Sequence, residues 1–197
     1  AYSIFRRKCV SYSEYELTVE QEGKLWNETV QQNVFIICKT PMAKSITKRT
    51  LVGFKDVPVN SHYFDDLISM MKNKPKQFIN RVKKPSYWKI EGVKEMKFDA
   101  VVGNPPYQIS DGGYGDSAKP IYNLFIEQAK HLSMIIPARW YSGGKGLDSF
   151  RKDMLNDDQL NVIHDFPETS DCFSNVNIRG GVCYFLWSKD KHDDCTI

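Results

Sequence analysis

The sequence predicts an α/β chain whose second half, residues 96–197, builds an open sheet behind a basic N-terminal region, residues 1–95, of unclear fold. Three observations carry this. Residues 98–188 alternate short apolar runs with stretches of helical spacing. Charge is split, with 18 Lys/Arg against 10 Asp/Glu in residues 1–97 and 9 against 14 in residues 98–197. A length of 197 residues with 41% apolar composition supports one well-cored domain, or one plus an appendage.

In the first half, "NVFIICKT" (33–40) and "RTLVGF" (49–54) read as short strands. "SHYFDDLISMMKNK" (61–74) has helical spacing through Tyr63, Leu67, Met70 and Met71, with Ser61 placed to cap it. "KNKPKQFINRVKKPSYWK" (72–89) then carries seven basic residues and no acidic one. A solvated linker and helix surface fits that run. A surface that tracks phosphates fits it too, with Tyr87 and Trp88 beside the charges.

The second half is clearer. "FDAVVG" (98–103) is a continuous apolar strand, the pattern of a strand covered on both faces. "KPIYNLFIEQAKHL" (119–132) reads as a helix, with Pro120 in its first turn and Tyr122, Phe125, Ile126 and Ala129 along one stripe. "SMIIP" (133–137) is a short buried strand. "GLDSFRKDMLND" (146–157) is an amphipathic helix turning Leu147, Phe150, Met154 and Leu155 inward. "LNVIHDF" (160–166) and "GGVCYFLWS" (180–188) are further strands. The stretch between them has no helical pattern, so they are expected to pair antiparallel.

Several function classes drop out. Mean hydropathy is −0.47, and no apolar run approaches the roughly 18 residues of a membrane span. No secretory leader is expected, because "AYSIFRRKCV" lacks an apolar core and a cleavage site. Cys9, Cys38, Cys172, Cys183 and Cys195 are widely spaced and free of CxxC pairs. They point to reduced thiols in a cytoplasm, with no disulfide framework and no metal site.

The informative stretch is "FDAVVGNPPYQIS" (98–110), where an apolar strand runs into two prolines. Proline fixes φ and has no N–H, and it pushes the preceding residue into an extended conformation. Asn104 is therefore held extended at the strand end, and neither Pro105 nor Pro106 offers a backbone donor. The corner presents acceptors, namely the Asn104 side-chain oxygen and the Pro105 carbonyl. Two fixed acceptors and the flat ring of Tyr107 suit a planar ring with an exocyclic amino group, which bonds the acceptors while its face stacks on the tyrosine. Such a nitrogen is a poor nucleophile, because its lone pair is delocalised. Hydrogen bonds that strengthen as it becomes tetrahedral favour the transition state over the ground state.

With "NPPY" placed after a buried strand, the chain resembles the amino-group methyltransferases that use S-adenosylmethionine, above all the DNA N6-adenine methyltransferases. "PIYNLFIEQAK", "SMIIPARWYSGGKGLDSFRKDML" and "DCFSNVNIRGGVCYFLWSKD" look like successive blocks of the methylase portion of restriction–modification enzymes of the gamma arrangement (type II, IIG-like). The resemblance covers roughly residues 96–190. It implies a partial Rossmann-like methyltransferase sheet, the catalytic half, acting on double-stranded DNA with S-adenosylmethionine as cofactor. A nuclease domain or subunit elsewhere is compatible with it. Asn104, Pro105, Pro106 and Tyr107 would be catalytic, with Asn104 also at the cofactor's edge. Phe173 in "DCFSN" would stack with Tyr107 on the target base. A base inside a duplex cannot reach such a corner, so flipping is implied. Arg139, Lys145 and Arg179 are candidate DNA contacts, although turns beside helix and strand ends explain them as well.

The pattern is incomplete upstream, where Gly23, Gly53 and Gly92 are isolated and no Gly-rich turn for the cofactor exists. The expectation is an excised piece of a larger enzyme, inactive by itself. Two other readings stay open: a non-catalytic DNA-binding fragment, and a protein-glutamine methyltransferase sharing the same corner. The chain is expected to bind S-adenosylmethionine weakly or not at all, and a calorimetric titration giving micromolar affinity would overturn that expectation.

Overall fold

The computed structural model describes residues 1–12, 16–104, 129–143, 147–176, 178–192 and 194–197. They fall into two compact units. One comprises residues 1–67 and 86–91, the other residues 68–85 and 92–197.

The first unit opens with helices α1 (Tyr2–Tyr12) and α2 (Val19–Asn33). Thr18 starts α2 with a reciprocal cap: its hydroxyl accepts from the Gln21 N–H at 3.3 Å, and the Gln21 side chain accepts from the Thr18 N–H at 2.9 Å. Phe5, Cys9 and Leu25 are buried together, and Phe5 meets Trp26 edge-on at 5.5 Å. Strand β1 (Phe35–Cys38) pairs parallel with β2 (Asn60–Tyr63), and α3 (Pro41–Val52) makes the crossover between them. Thr40 caps α3 by accepting from the Ala43 N–H at 3.1 Å, and Pro41 opens its first turn.

Two expectations fail in this unit. "RTLVGF" is not a strand. Residues 49–52 are the last turn of α3, ended by Gly53 at φ 62°. Nor does the helix expected from residue 61 begin there. Ser61 is a buried residue of β2 rather than a cap, and Tyr63 lies in the strand. The helix, α4, spans only Leu67–Asn73, with Leu67 and Met71 buried.

In the second unit, α5 (Pro75–Val82) buries Phe78 and Val82, whereas the short α6 (Pro85–Trp88) falls, from residue 86 on, in the first unit. The sheet contains β3 (Phe98–Gly103), β4 (Ala129–Pro137), β5 (Leu160–Phe166) and β6 (Val182–Ser188) in the order β3-β4-β6-β5. β3 and β4 are parallel, and β6 runs antiparallel between β4 and β5. The expected antiparallel pairing of the last two strands is therefore present. Leu132, Met134 and Ile136 alternate inward along β4. They meet Leu160, Ile163, Cys183, Phe185 and Trp187 under helix α7 (Asp148–Leu155), whose Phe150 and Met154 sit one turn apart. At the far end of the sheet Trp187 Nε1 donates to Asp157 at 3.1 Å, while the buried Asn161 Oδ1 has no hydrogen-bond partner among the described residues.

Three further corrections fall here. Residues 129–132 are not the end of a helix, because Ala129, His131 and Leu132 pair with β3 as the start of β4. The rest of that expected helix, residues 119–128, lies outside the described residues. The apolar run of β3 predicts cover on both faces, yet Val102 is 77% exposed. Its apolar sequence fits the position at the end of the strand order, where only one flank is paired among the described residues. Leu155 is 62% exposed rather than inward, because it lies about 100° around the helix from Met154, which takes the core position.

Phe185 is 1% exposed at the centre of this core. Phe185→Ala is expected to cost about 3–5 kcal/mol in urea unfolding, and Tyr184→Ala, at a half-exposed site beside it, under about 1 kcal/mol.

Candidate active site

The strand directions bring four sequence-distant positions to one edge of the sheet. β3, β4 and β5 all end there and β6 begins there, with Pro137 and Phe166 both opposite Val182. Asn104 follows the last residue of β3 and is exposed. Arg139 lies in the short 3-10 turn Ala138–Ser142 directly after β4 and is half-buried. Phe173 and Arg179 lie in the connection from β5 to β6, the first half-buried and the second exposed. Pro105, Pro106, Tyr107 and Lys145 lie outside the described residues.

The β5–β6 connection is short and pinned to itself. Thr169, 5% exposed, donates its hydroxyl to the Ile178 carbonyl at 3.0 Å and accepts from the Ile178 N–H at 3.3 Å. The Phe173 N–H donates to the Thr169 carbonyl at 2.7 Å, which sets the aromatic ring on the short arm of the loop. The loop closes through a glycine pair. At Gly181, φ is +74°, and an added Cβ would run into the Phe166 carbonyl oxygen and lie 2.8 Å from that of Pro167. At Gly180 an added Cβ would meet Arg139 Cβ at 3.5 Å, so the pair also seats the loop against the turn that carries Arg139. The Ala138 N–H donates to the Gly181 carbonyl at 3.1 Å and joins the two segments.

Behind this edge lies a polar group that sequence reading did not find. Trp140 Nε1, Tyr141 Oη and Asp165 Oδ1 are buried and make no hydrogen bond among the described residues. Burial, then the neighbouring Cys183 and Asp165, pushes the Tyr141 hydroxyl well above the usual phenol range. Burial likewise pushes the Cys183 thiol up. Both groups are thus neutral at physiological pH, and neither is set up as a nucleophile. The Tyr141 carbonyl accepts from Arg151 Nε at 2.8 Å, tying the turn to α7. His164, which sits beside Asp165 on β5, stacks on Tyr184 at 5.1 Å with planes 14° apart, a sheet-surface contact rather than part of a triad.

A model of the Eco57I restriction-modification methylase family matches residues 32–173. The chain belongs to this family. The match begins well upstream of the region that carries the sequence resemblance, and so takes in β1, α3 and β2. The chain is 39% identical over 103 residues to an uncharacterized adenine-specific methylase of Mycoplasma pneumoniae, covering 48% of this chain and 24% of that protein. Among solved structures it is similar to the M protein of the type I restriction enzyme EcoKI, with 17% identity, a TM-score of 0.47, and coverage of 91% of this chain and 36% of that one. It is also similar to the methyltransferase subunit of a type I restriction-modification system from Streptococcus thermophilus, with 13% identity, a TM-score of 0.40, and coverage of 89% and 45%. The chain therefore spans about a quarter of the length of its curated relative.

Family membership bears out the resemblance read from "NPPY" and the blocks after it. The α/β sheet with β3 and β4 parallel is the architecture expected for its catalytic half. The described residues supply little for a nucleotide-like cofactor. Gly23 lies within α2, Gly53 ends α3, and Gly92 stands alone at φ +80°, each with open space where a Cβ would go, so none forms a close-approach cradle. Among the described residues no three His, Cys, Asp or Glu side chains are grouped to hold a metal. No helix there is long and apolar enough to cross a membrane.

Gly181→Ala is expected to cost on the order of 2 kcal/mol or more in urea unfolding, because the left-handed backbone and the Phe166 carbonyl both oppose a methyl group. Gly180→Ala, where the added carbon meets only ordinary contacts, is expected to cost less.

Proposed function

We propose that this chain is the catalytic half of an adenine-specific DNA methylase, with residues 96–197 forming the base-binding side of the domain. The observation that supports this most directly is the family match over residues 32–173, together with an exposed Asn104 at the tip of β3. The substrate is an adenine turned out of double-stranded DNA, and the methyl donor is S-adenosylmethionine, which supplies an electrophilic methyl group when bound. The described residues form no cradle for that donor, and their chemical work is done on the base.

Asn104 and the Pro105 carbonyl accept the two hydrogens of the exocyclic amino group. As the nitrogen turns tetrahedral, its hydrogens gain positive charge and both bonds tighten, so the stabilisation falls mainly on the transition state. No general base is needed, because the proton is acidic once the nitrogen is alkylated and passes to solvent. Tyr107 and Phe173 sandwich the base and recover part of the few kcal/mol lost in unstacking it. The pinned Thr169–Ile178 loop lowers the entropy cost of presenting Phe173. Arg139 and Arg179, which flank the same edge of the sheet, face the sugar–phosphate chain on either side of the extruded nucleotide. Lys145 is assigned to the same role. A nuclease domain or subunit elsewhere in a longer polypeptide or complex fits this restriction-modification family.

The test is transfer of labelled methyl groups from S-adenosylmethionine to duplex oligonucleotides by a polypeptide containing this chain. Asn104→Ala is expected to lower the rate about 100-fold or more with little change in duplex affinity. Label in adenine of the duplex supports the assignment. Label in a glutamine side chain of a protein substrate, with none in DNA, overturns it.

A further inference from the structure

We infer that the solvent face of α5 is a second DNA contact, a cationic ridge for the phosphodiester backbone of a duplex away from the target base. The preference for duplex DNA rests on the methylase reading above. The charge argument does not.

Lys74 at the N-cap, Gln77 and Arg81 in α5 and Lys84 just past its end recur at three- and four-residue steps and are all exposed, and the exposed Asn80 and Lys76 widen the surface further round the helix. This stripe is about 15 Å long at about 1.5 Å per residue, the rise of roughly four nucleotides of B-form strand. The opposite side holds Phe78 and Val82, 1% and 5% exposed, so the ridge is presented by an anchored helix rather than a loose linker. Lys83 pairs with Glu95 at 3.4 Å, but among the described residues the ammonium groups of Lys74, Lys76 and Lys84 meet no carboxylate. The first turn of α5 carries no acidic residue, and Lys74 makes no side-chain cap. Positive charge there opposes the helix dipole, a local cost that no acidic residue of the first turn offsets and that an external polyanion would relieve. Gln77 and Asn80 add neutral donors of the kind that meet phosphate oxygens. The exposed face has no large apolar side chain to enter a lipid interface, which sets it apart from a membrane-binding helix. The Met96 N–H donates to the Lys83 carbonyl at 2.8 Å, setting the end of α5 near the start of β3. Asn104 lies at the other end of that strand, about 20 Å along it, so the ridge and the base-binding corner are separate surfaces.

The experiment is fluorescence anisotropy of the full chain with a labelled DNA duplex between about 50 and 200 mM salt. Combined Lys74→Gln, Lys76→Gln and Lys84→Gln should reduce the slope of log affinity against log salt by about 2.7, at about 0.9 per lost phosphate contact. A charge-matched control, Lys39→Gln, Lys44→Gln and Lys55→Gln, should change it by less than about one. The inference is overturned by an unchanged slope in the ridge variant, by equal loss in the control, or by no duplex binding in the unaltered chain. Binding of duplex RNA or anionic vesicles through these lysines, with DNA binding unaffected, overturns it as well. Failure of methyl transfer with the ridge effect intact rejects only the function proposed above. The reverse outcome rejects only the ridge.

Discussion

The second unit depends on the insertion of β6 between β4 and β5. β6 is hydrogen-bonded on both flanks, from Val182 opposite Pro137 and Phe166 to Trp187 opposite Leu132 and Leu160. It buries Val182, Cys183, Phe185 and Trp187 along the way. An inserted antiparallel strand must begin where its neighbours end. That requirement brings the tips of β3, β4 and β5 to the same edge as the start of β6, and gathers Asn104, Arg139, Phe173 and Arg179 there. A parallel strand in its place would need a long crossover and would move the β5–β6 connection to the other side of the sheet.

The tight return into β6 is what the glycine pair makes possible. Gly181 lets the backbone pass under the Phe166 carbonyl, and Gly180 supplies a second left-handed position at φ +90°. Thr169 then closes the remaining loop from inside, through two bonds to one residue. The loop is thus held by backbone geometry and a buried hydroxyl rather than by apolar packing alone. An aromatic residue on it can stay half-exposed without collapsing onto the core. The orphaned Trp140, Tyr141 and Asp165 atoms lie behind it, and Asn161 Oδ1 at the start of β5 is a further buried atom without a partner among the described residues.

Much of the second half was legible because local pattern and final pairing agree. β3, β5 and β6 coincide with continuous or alternating apolar runs, and α7 with a clear apolar stripe. Where they disagree, pairing wins. Ala129–Leu132 has the composition of a helix end, yet the ladder with β3 makes it strand. Thr50, Leu51 and Val52 look strand-like, and the deciding signals lay at the ends of α3, in Thr40-Pro41 and Gly53. The Thr18–Gln21 cap was equally visible as a start signal for α2 and went unread. At the candidate site, Asn104 stood out because its strand-end, two-proline setting is local in sequence, and Phe173 through the family resemblance. The Thr169–Ile178 staple, the Gly181–Phe166 contact and the Tyr141–Asp165–Cys183 neighbourhood join residues far apart in sequence, and no periodicity announces them.

The open flank of β3 has a consequence for handling the protein. Among the described residues no strand pairs with its outer side, and Val102 stands exposed on an apolar ribbon. The outer edge of such a strand is a template for strand addition by a neighbouring molecule. Near the start of the ribbon Asp99 carries a charge and pairs with Lys130 at 3.1 Å. Strand addition at this edge would show as self-association that grows with concentration, unless another polypeptide segment occupies the rail.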